Sequence, residues 1–228
     1  MSGPRTALVT GANGDLGGPV AARLLEEGFD VVVAAREAET AASVARACGG
    51  SARPAVLDVT EPDLVKSALD EIGPVDVLIN NAGVLLTPRQ RPSEADLELV
   101  ERELAVNTIG AWRMAQAVLP EMIRRGWGRI VNVSSGTASF THGLFPGTPG
   151  YTVSKAALNA VTVILARDTE GTGVLVNAVN PGRVRSRMLP DAERTPLDAA
   201  RSIVAVATLA DDGPSGAFFR PDGVVMEW

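Results

Sequence analysis

The sequence predicts a single α/β domain in which a doubly wound parallel sheet of about seven strands is flanked by helices. Short apolar, β-branched runs recur along the 228 residues, and they are nearly continuous, as expected of strands covered on both faces. Segments with apolar residues at three- and four-residue spacing lie between these runs, and this is the period of a helix. No Pro-, Gly- or Ser-rich linker divides the chain. The alternation of strand and helix therefore indicates one doubly wound sheet.

The predicted elements alternate in chain order. The predicted strands span residues 7–10, 31–35, 55–58, 75–80, 129–134, 174–180 and 217–219. The predicted helices span residues 17–27, 37–48, 62–72, 93–125, 151–169 and 196–210. Gly28 is placed to end the first helix. Ser93, with Asp96 three residues later, is placed to begin the fourth helix.

The rare residues exclude several kinds of chemistry. One Cys (Cys48) and one His (His142) can form neither an internal disulfide nor a zinc site with three or four N/S ligands. We expect no metal site. The net charge of −6 speaks against a nucleic-acid-binding face. No signal peptide and no membrane-spanning apolar run is visible, so we expect a cytoplasmic protein that binds no membrane.

A glycine-rich segment joins the first predicted strand to the first predicted helix. Gly11, Gly14 and Gly17 allow a tight turn and a close approach of the backbone to a pyrophosphate. The N–H groups of the following helix N-terminus also favour an anion. The segment therefore predicts a dinucleotide site, although an ordinary strand-to-helix turn is the alternative.

The end of the second predicted strand indicates which dinucleotide. NAD-binding domains usually carry an acidic residue there, which accepts from the ribose 2′-OH. This chain has Ala34 and Ala35 followed by Arg36, whose guanidinium could pair with a 2′-phosphate. The pattern favours NADP(H) over NAD(H). The alternative is that Arg36 only solvates the start of the second helix.

Tyr151, the only Tyr, stands four residues before Lys155, one of only two Lys residues. The i, i+4 spacing places both on one helical face. A Tyr hydroxyl has an ordinary pKa near 10, and a nearby ammonium is expected to lower it toward the pH at which protons are exchanged. The pair therefore predicts an acid–base site. The alternative is a partly buried Tyr beside a solvated Lys.

The sequence resembles the short-chain dehydrogenases/reductases over nearly its whole length. The resemblance rests on the glycine-rich turn Thr10–Gly17, on Asp58 after the third predicted strand and on Asn80-Asn81-Ala82-Gly83 after the fourth. It also rests on Asn107 in the fourth helix, Ser134-Ser135 after the fifth strand, Tyr151-x-x-x-Lys155, and Asn180-Pro181-Gly182 after the sixth.

The resemblance implies a Rossmann fold, a hydride-transferring oxidoreductase and a role for each matching residue. Tyr151 would protonate the substrate carbonyl oxygen, Ser135 rather than Ser134 would hydrogen-bond it, and Asn107 would hold a water that links Lys155 to solvent. Lys155 would also bind the nicotinamide ribose. The implied cofactor-binding residues are Gly11, Asn13, Gly14, Asp15, Leu16, Gly17, Arg36, Asp58, Val59, Asn81, Ala82, Gly83, Tyr151, Lys155, Pro181, Gly182, Val184 and Ser186.

Two departures from the family pattern concern the turn and the catalytic spacing. The Gly11/Gly14/Gly17 spacing is similar to that of the extended branch of the family. That branch carries a large C-terminal substrate region, for which this chain is expected to lack room. Asp15 stands where the short branch usually has a Gly. Ser135 and Tyr151 are separated by more residues than usual, so residues 136–150 contain an insertion.

The substrate pocket is expected between residues 136–150 and residues 183–196. Phe140, Leu144 and Phe145 suggest a wall for an apolar or aromatic carbonyl, although a surface loop explains them equally well. His142 is expected to be non-catalytic. Arg183, Arg185 and Arg187 could meet an acidic group, but a solvated loop is the preferred interpretation. The terminal Trp228 is expected to close the pocket or to pack against a neighbouring subunit.

The leading hypothesis is therefore an NADPH-dependent carbonyl reductase that also runs as an alcohol dehydrogenase. The resemblance implies a homodimer or homotetramer, although some carbonyl reductases are monomers. The alternatives are a non-catalytic dinucleotide-sensing protein and an epimerase- or dehydratase-like activity, which the spacing of the turn suggests.

Overall fold

The computed structural model describes residues 3–49, 51–186 and 189–228, and an eight-stranded sheet lies at its centre. The strand order is β3-β2-β1-β4-β5-β6-β7-β8. All neighbouring strands are parallel except the pair β7 and β8. The strands are β1 (Thr6–Val9), β2 (Asp30–Ala35), β3 (Arg53–Val56), β4 (Val77–Asn80), β5 (Gly128–Val133), β6 (Val174–Val179), β7 (Phe218–Phe219) and β8 (Val225–Met226).

Helices cover both faces of this sheet, which confirms the predicted doubly wound α/β fold. The α-helices are α1 (Gly17–Glu26), α2 (Ala38–Ala47), α3 (Pro62–Ile72), α4 (Leu97–Leu104), α5 (Ala111–Arg125), α6 (Pro149–Asp168) and α7 (Pro196–Ala207). One core packs α1 and α7 against strand residues such as Val9 and Val31. The other packs α3, α5 and α6 against residues such as Leu8 and Leu78. Successive strand residues thus point into opposite cores.

The prediction of one uninterrupted fourth helix over residues 93–125 is wrong. A 3₁₀ turn (Pro92–Glu94), α4, a π-helix (Ala105–Gly110) and α5 occupy this span. Ser93 lies inside the 3₁₀ turn, and the cap of α4 is Asp96, whose side chain accepts from Glu98 N and Leu99 N. A carboxylate at this position satisfies two N–H groups that have no partner inside the helix.

The C-terminus adds a strand that the sequence did not predict. β8 pairs antiparallel with β7, so that Met226 lies opposite Phe218. The Trp228 ring stacks on Phe218 with 5.3 Å between centroids, and its main-chain oxygen accepts from Thr141 N and Oγ1. Trp228 therefore packs against its own chain and does not line the large cleft described below, while its expected contact with a neighbouring subunit stays a prediction.

The strand order determines where the connecting loops diverge. β1 lies between β2 and β4, so the chain leaves β1 toward one side of the sheet and returns at β4 on the other. Ligands of open α/β sheets bind at such a switch point, beyond the carboxyl ends of the strands. The loops after β1 and β4 are therefore the expected centre of the site.

Candidate active site

A cleft of about 950 Å³ lies at the carboxyl ends of the strands. All of the predicted cofactor-binding residues except Gly17 line this cleft, as do Ser135, Tyr151 and Lys155. Of the four predicted catalytic residues, only Asn107 does not line the cleft. The fold thus brings most of the predicted site together, although these residues come from segments distributed over most of the chain.

The glycine-rich turn is fastened to the loop after β4. Gly11 has a φ of +63°, and a Cβ there would lie 2.5 Å from the Ala82 Cα, so only glycine fits. The buried Thr10 hydroxyl accepts from Asn81 N and Ala82 N, each at 3.1 Å. The Asn81 side-chain amide donates back to the Thr10 and Gly11 carbonyl oxygens. The two loops therefore form one rigid wall of the cleft.

The other glycines of the turn have different surroundings. Gly14 lines the cleft and donates to the Gly11 carbonyl oxygen at 3.1 Å. Gly17 begins α1 below the cleft surface, where a Cβ would lie 2.6 Å from the Ala12 Cα. Gly17 thus permits close packing of turn and helix. Asn13, Asp15 and Leu16 line the cleft beside Gly14.

One end of the cleft carries Arg36, which follows β2. The side chain is exposed, lines the cleft and makes no ion pair with any residue that the structure describes. Asp58 lies nearby in the lining, and its Oδ1 accepts from Thr60 N and Thr60 Oγ1 at 2.9 and 2.7 Å. One oxygen of the Asp58 carboxylate is therefore held in a local turn, whereas the Arg36 guanidinium remains available to an anion.

The first turns of α6 carry Tyr151 and Lys155. The Lys155 ammonium is buried, donates to the Val133 carbonyl oxygen at 2.7 Å and lies 5.8 Å from the centroid of the Tyr151 ring. The Tyr151 hydroxyl is hydrogen-bonded with Ser135. Ser135 in turn accepts from Thr137 Oγ1 at 3.0 Å. Tyr, Lys and Ser thus form one cluster in the cleft.

The neighbouring Ser134 points elsewhere. Its hydroxyl is buried and donates to Asn159 Oδ1 at 2.6 Å, behind the cluster. Of the two adjacent serines, Ser135 is therefore the one whose hydroxyl meets Tyr151.

The pKa values in this cluster are dominated by burial. Burial raises the pKa of Tyr151 to about 12, the hydrogen bond with Ser135 opposes this rise, and the negative charge of Glu103 adds to it. Burial lowers the pKa of Lys155 to about 8. The pKa of Tyr151 is therefore raised in this arrangement, where a lowering beside Lys155 was expected, because loss of solvent around the phenolate is the dominant effect.

Asn107 lies in the π-helix, fully buried behind the cleft wall. Its side-chain oxygen accepts from Val84 N at 2.8 Å. Its amide donates to the Val84 carbonyl oxygen and to Ser154 Oγ, both at 2.9 Å. The side chain thus joins the loop after β4 to α6, one residue from Lys155. The role of Asn107 in holding a water stays a prediction.

The segment after β6 forms the opposite wall. Gly182 has a φ of +82° and its N–H donates to Asn180 Oδ1 at 2.9 Å. Residues of this segment that line the cleft are Pro181, Gly182, Arg183, Val184, Ser186 and Leu189. Arg185 is exposed and outside the lining, and Arg187 lies outside the described residues.

The insertion between Ser135 and Tyr151 contributes little to the cleft. Phe140, Leu144 and Phe145 are 70%, 40% and 51% exposed, and none of them lines it. His142 is exposed as well. Thr137 alone of residues 136–150 joins the lining. This placement favours the surface-loop interpretation of the three large hydrophobic residues.

Several cleft residues had no signal in the sequence. Thr137 lies in the predicted pocket segment 136–150, but nothing in the sequence marked its hydroxyl as a donor to Ser135. Leu85 and Arg102 line the cleft from a loop and from α4 without any such signal, whereas Leu189 belongs to the predicted pocket segment 183–196. The helical period predicts that Arg102 faces solvent, and its side chain is exposed. The period does not show that this exposed side chain faces a cleft.

Within the described part of the chain, no helix is long and apolar enough to cross a membrane. The same residues contain no group of three or more His, Cys, Asp or Glu side chains placed to hold a metal ion.

Comparison with known proteins identifies the family. The family model described as short chain dehydrogenase matches residues 5–196, which is most of the chain. The protein therefore belongs to the short-chain dehydrogenase family.

Individual relatives agree with this assignment. A short chain dehydrogenase of Pseudocercospora fijiensis is 35% identical over 81% of this chain, which spans 61% of that relative. NADPH-dependent aldehyde reductase 2 of Arabidopsis thaliana, a chloroplastic protein, is 36% identical over 81% of this chain and 74% of its own length. Among solved structures, an NADPH-bound carbonyl reductase from chicken fatty liver superimposes with a TM-score of 0.86 over all of both chains, at 26% identity.

Proposed function

We propose that this protein reduces a ketone or aldehyde to the alcohol with NADPH as hydride donor and Tyr151 as general acid. The observation that carries the proposal is the cluster in the cleft. The Tyr151 hydroxyl meets Ser135 there, with Lys155 beside the ring. The glycine-rich turn lines the same cleft, so an acid and a dinucleotide site share one space.

The residues present fit NADPH. The turn leaves no room for a Cβ at Gly11, and the backbone there can approach a pyrophosphate closely. At the end of β2, Arg36 is exposed and makes no ion pair among the described residues. The neighbouring Ala34 and Ala35 carry no carboxylate that would repel a phosphate. A guanidinium in this position suits a 2′-phosphate. NADPH, when bound, would supply the hydride.

The protein's own residues would manage the proton. With a pKa of about 12, Tyr151 holds its proton at neutral pH and can donate it to the carbonyl oxygen that gains negative charge. Ser135, positioned by Thr137, would hydrogen-bond the same oxygen. Lys155, with a pKa of about 8, can lose and regain a proton near working pH and so restore the Tyr151 proton.

Two known proteins support this cofactor and reaction. The Arabidopsis relative is named as an NADPH-dependent aldehyde reductase, and the chicken structure is a carbonyl reductase with NADPH bound. Apolar side chains in the lining, among them Leu85, Val184 and Leu189, favour an apolar or aromatic carbonyl substrate. We expect a homodimer or homotetramer, as the family resemblance implies.

An NADPH-consumption screen tests the proposal. The purified protein is offered aliphatic, aromatic, keto-ester and quinone carbonyls with NADPH, and in parallel with NADH. We expect turnover with NADPH that favours the apolar and aromatic carbonyls. Tight NADPH binding without turnover on any carbonyl would contradict the proposal and would point to a dinucleotide-sensing protein.

A further inference from the structure

Glu103 of α4 is a fully buried carboxylate that the proposed mechanism does not use. Among the residues that the structure describes it has no ion-pair partner. A buried carboxylate is costly unless hydrogen bonds replace its water. The contacts of Glu103 therefore show what it does for the fold.

The carboxylate binds the loop that follows β4. Its Oε1 accepts from the Leu86 and Thr87 main-chain N–H groups. Its Oε2 accepts from the Thr87 hydroxyl at 2.9 Å. Three donors on two adjacent residues thus satisfy the charge, and the loop is held against α4.

The same network reaches the start of α6. The buried Thr87 hydroxyl accepts from Gly150 N at 3.1 Å, and Gly150 directly precedes Tyr151. The amide of Gly150 belongs to the first turn of α6, whose N–H groups have no partner inside the helix. A Cβ on Gly150 would collide with Glu103 Oε2 and approach Val100 to 2.9 Å. The helix start therefore lies directly against this carboxylate.

From these contacts we propose that Glu103 is a positioning residue, which holds the first turn of α6 and with it Tyr151 at the cleft through Thr87 and Gly150. The proposal rests on the proposed role of Tyr151 as the acid. The first turn of a helix frays most readily, and a small displacement of an acid can cost a large factor in rate. Glu103 prevents this displacement without touching the substrate or the cofactor.

The charge of Glu103 also bears on the protonation of Tyr151. Among the described residues, the charged groups at Tyr151 are Glu103 from α4 and Lys155 from α6. The loop after β5 contributes the neutral Ser135. Arg102 and Arg183 line the same cleft. Glu103 raises the pKa of Tyr151, because a negative charge disfavours the phenolate. Removal of this charge should therefore let Tyr151 ionise at lower pH.

The test variant is Glu103→Gln, and Glu101→Gln is its matched control. Glu101 lies on the exposed side of the same helix, so the control makes the same chemical change outside the network. A Gln at position 103 keeps the volume but cannot accept from all three donors. A second pair, Thr87→Val and Thr87→Ser, removes or keeps the hydroxyl that links Glu103 to Gly150, and it carries the test if E103Q does not fold.

Two measurements on the protein without substrate report the result. Hydrogen exchange of the Gly150 amide reports the start of α6, and the NMR signal of a ring-labelled Tyr is unambiguous because Tyr151 is the only Tyr. We expect E103Q and T87V to exchange at Gly150 about tenfold faster or more, while E101Q and T87S stay near wild type. We also expect Tyr151 in E103Q to ionise at lower pH than in wild type.

The activity measurement separates this proposal from the proposed function. With the substrate found in the screen, E103Q should lose about tenfold in kcat and keep its affinity for NADPH. The positioning role is overturned if E103Q leaves the exchange of the Gly150 amide unchanged or if E101Q changes it equally. The effect of the Glu103 charge is overturned if the ionisation of Tyr151 is the same in E103Q and wild type. If the wild-type protein reduces no carbonyl, the proposed function fails, but exchange and ionisation still decide the role of Glu103.

Discussion

At the residue scale, the guanidinium of Arg36 is the group best placed to choose between the two dinucleotides. It is exposed at the end of β2 and lines the cleft. We predict that Arg36→Ala raises the Kd for NADPH about tenfold or more, because a charge-assisted hydrogen bond to a phosphate is lost. The Kd for NADH should change little. Fluorescence titration with both nucleotides measures these values.

Arg46→Ala serves as the control for this prediction. Arg46 is an exposed residue of α2 that pairs with Glu39 outside the cleft. Its loss should leave both affinities near wild type. Equal weakening of NADPH and NADH binding in Arg36→Ala would show that Arg36 supports the shape of the cleft rather than the choice of cofactor.

Single residues were predictable from sequence where they were rare. Tyr151 is the only Tyr and Lys155 one of two Lys, so no other Tyr in the chain could be taken for the predicted acid. Glu103 had no such mark, because acidic residues are common and its helix shows an ordinary pattern. Its burial depends on the contact of α4 with Thr87 and Gly150, which are distant in the chain. No local pattern contains that information.

At the element scale, the start of α4 offers a direct comparison of two candidate caps. Asp96 accepts from Glu98 N and Leu99 N, whereas Ser93 lies in the preceding 3₁₀ turn. We predict that Asp96→Ala lowers the free energy of unfolding by about 1 kcal/mol. Ser93→Ala should change it by much less. Urea denaturation of the two variants measures the difference, and a larger loss for Ser93→Ala would contradict this assignment of the cap.

The helical segments show which part of an element a sequence can predict. The apolar period correctly placed helical structure across most of residues 97–125. It gave no sign of the π-helix Ala105–Gly110, because one extra residue in a turn barely alters the pattern. The close contact of Gly110 with Val59 and the bonds of Asn107 to Val84 and Ser154 hold this turn. All are tertiary contacts. The two-residue strand β8 is likewise too short to show a period.

At the scale of the whole molecule, the buried site makes stability depend on pH. The pKa of Lys155 falls from 10.5 in its ordinary state to about 8 in the fold. Between these values the unfolded chain binds more protons than the folded chain, so stability rises with pH. Below about pH 8 Lys155 is charged in both the folded and the unfolded chain, so the folded state carries the full cost of burying the ammonium. Tyr151 has the opposite effect, because its pKa is raised to about 12, but this loss of stability begins only near pH 10.

The measurement compares wild type with Lys155→Met by urea denaturation at about pH 7 and about pH 10. We predict that wild type gains about 2 to 3 kcal/mol relative to the variant between these two conditions. Any constant difference in packing between the two proteins cancels in this comparison. A gap between wild type and variant that stays the same at both pH values would show that the ammonium is not desolvated.

The Tyr151→Phe variant tests the central claim most directly. The substitution removes only the hydroxyl that meets Ser135 and leaves the ring in place. NADPH oxidation with the preferred carbonyl is measured beside the Kd for NADPH. We predict that turnover falls by about a hundredfold or more, as expected for loss of a general acid, while the Kd stays near wild type. Turnover close to wild type would contradict the assignment of Tyr151 as the acid.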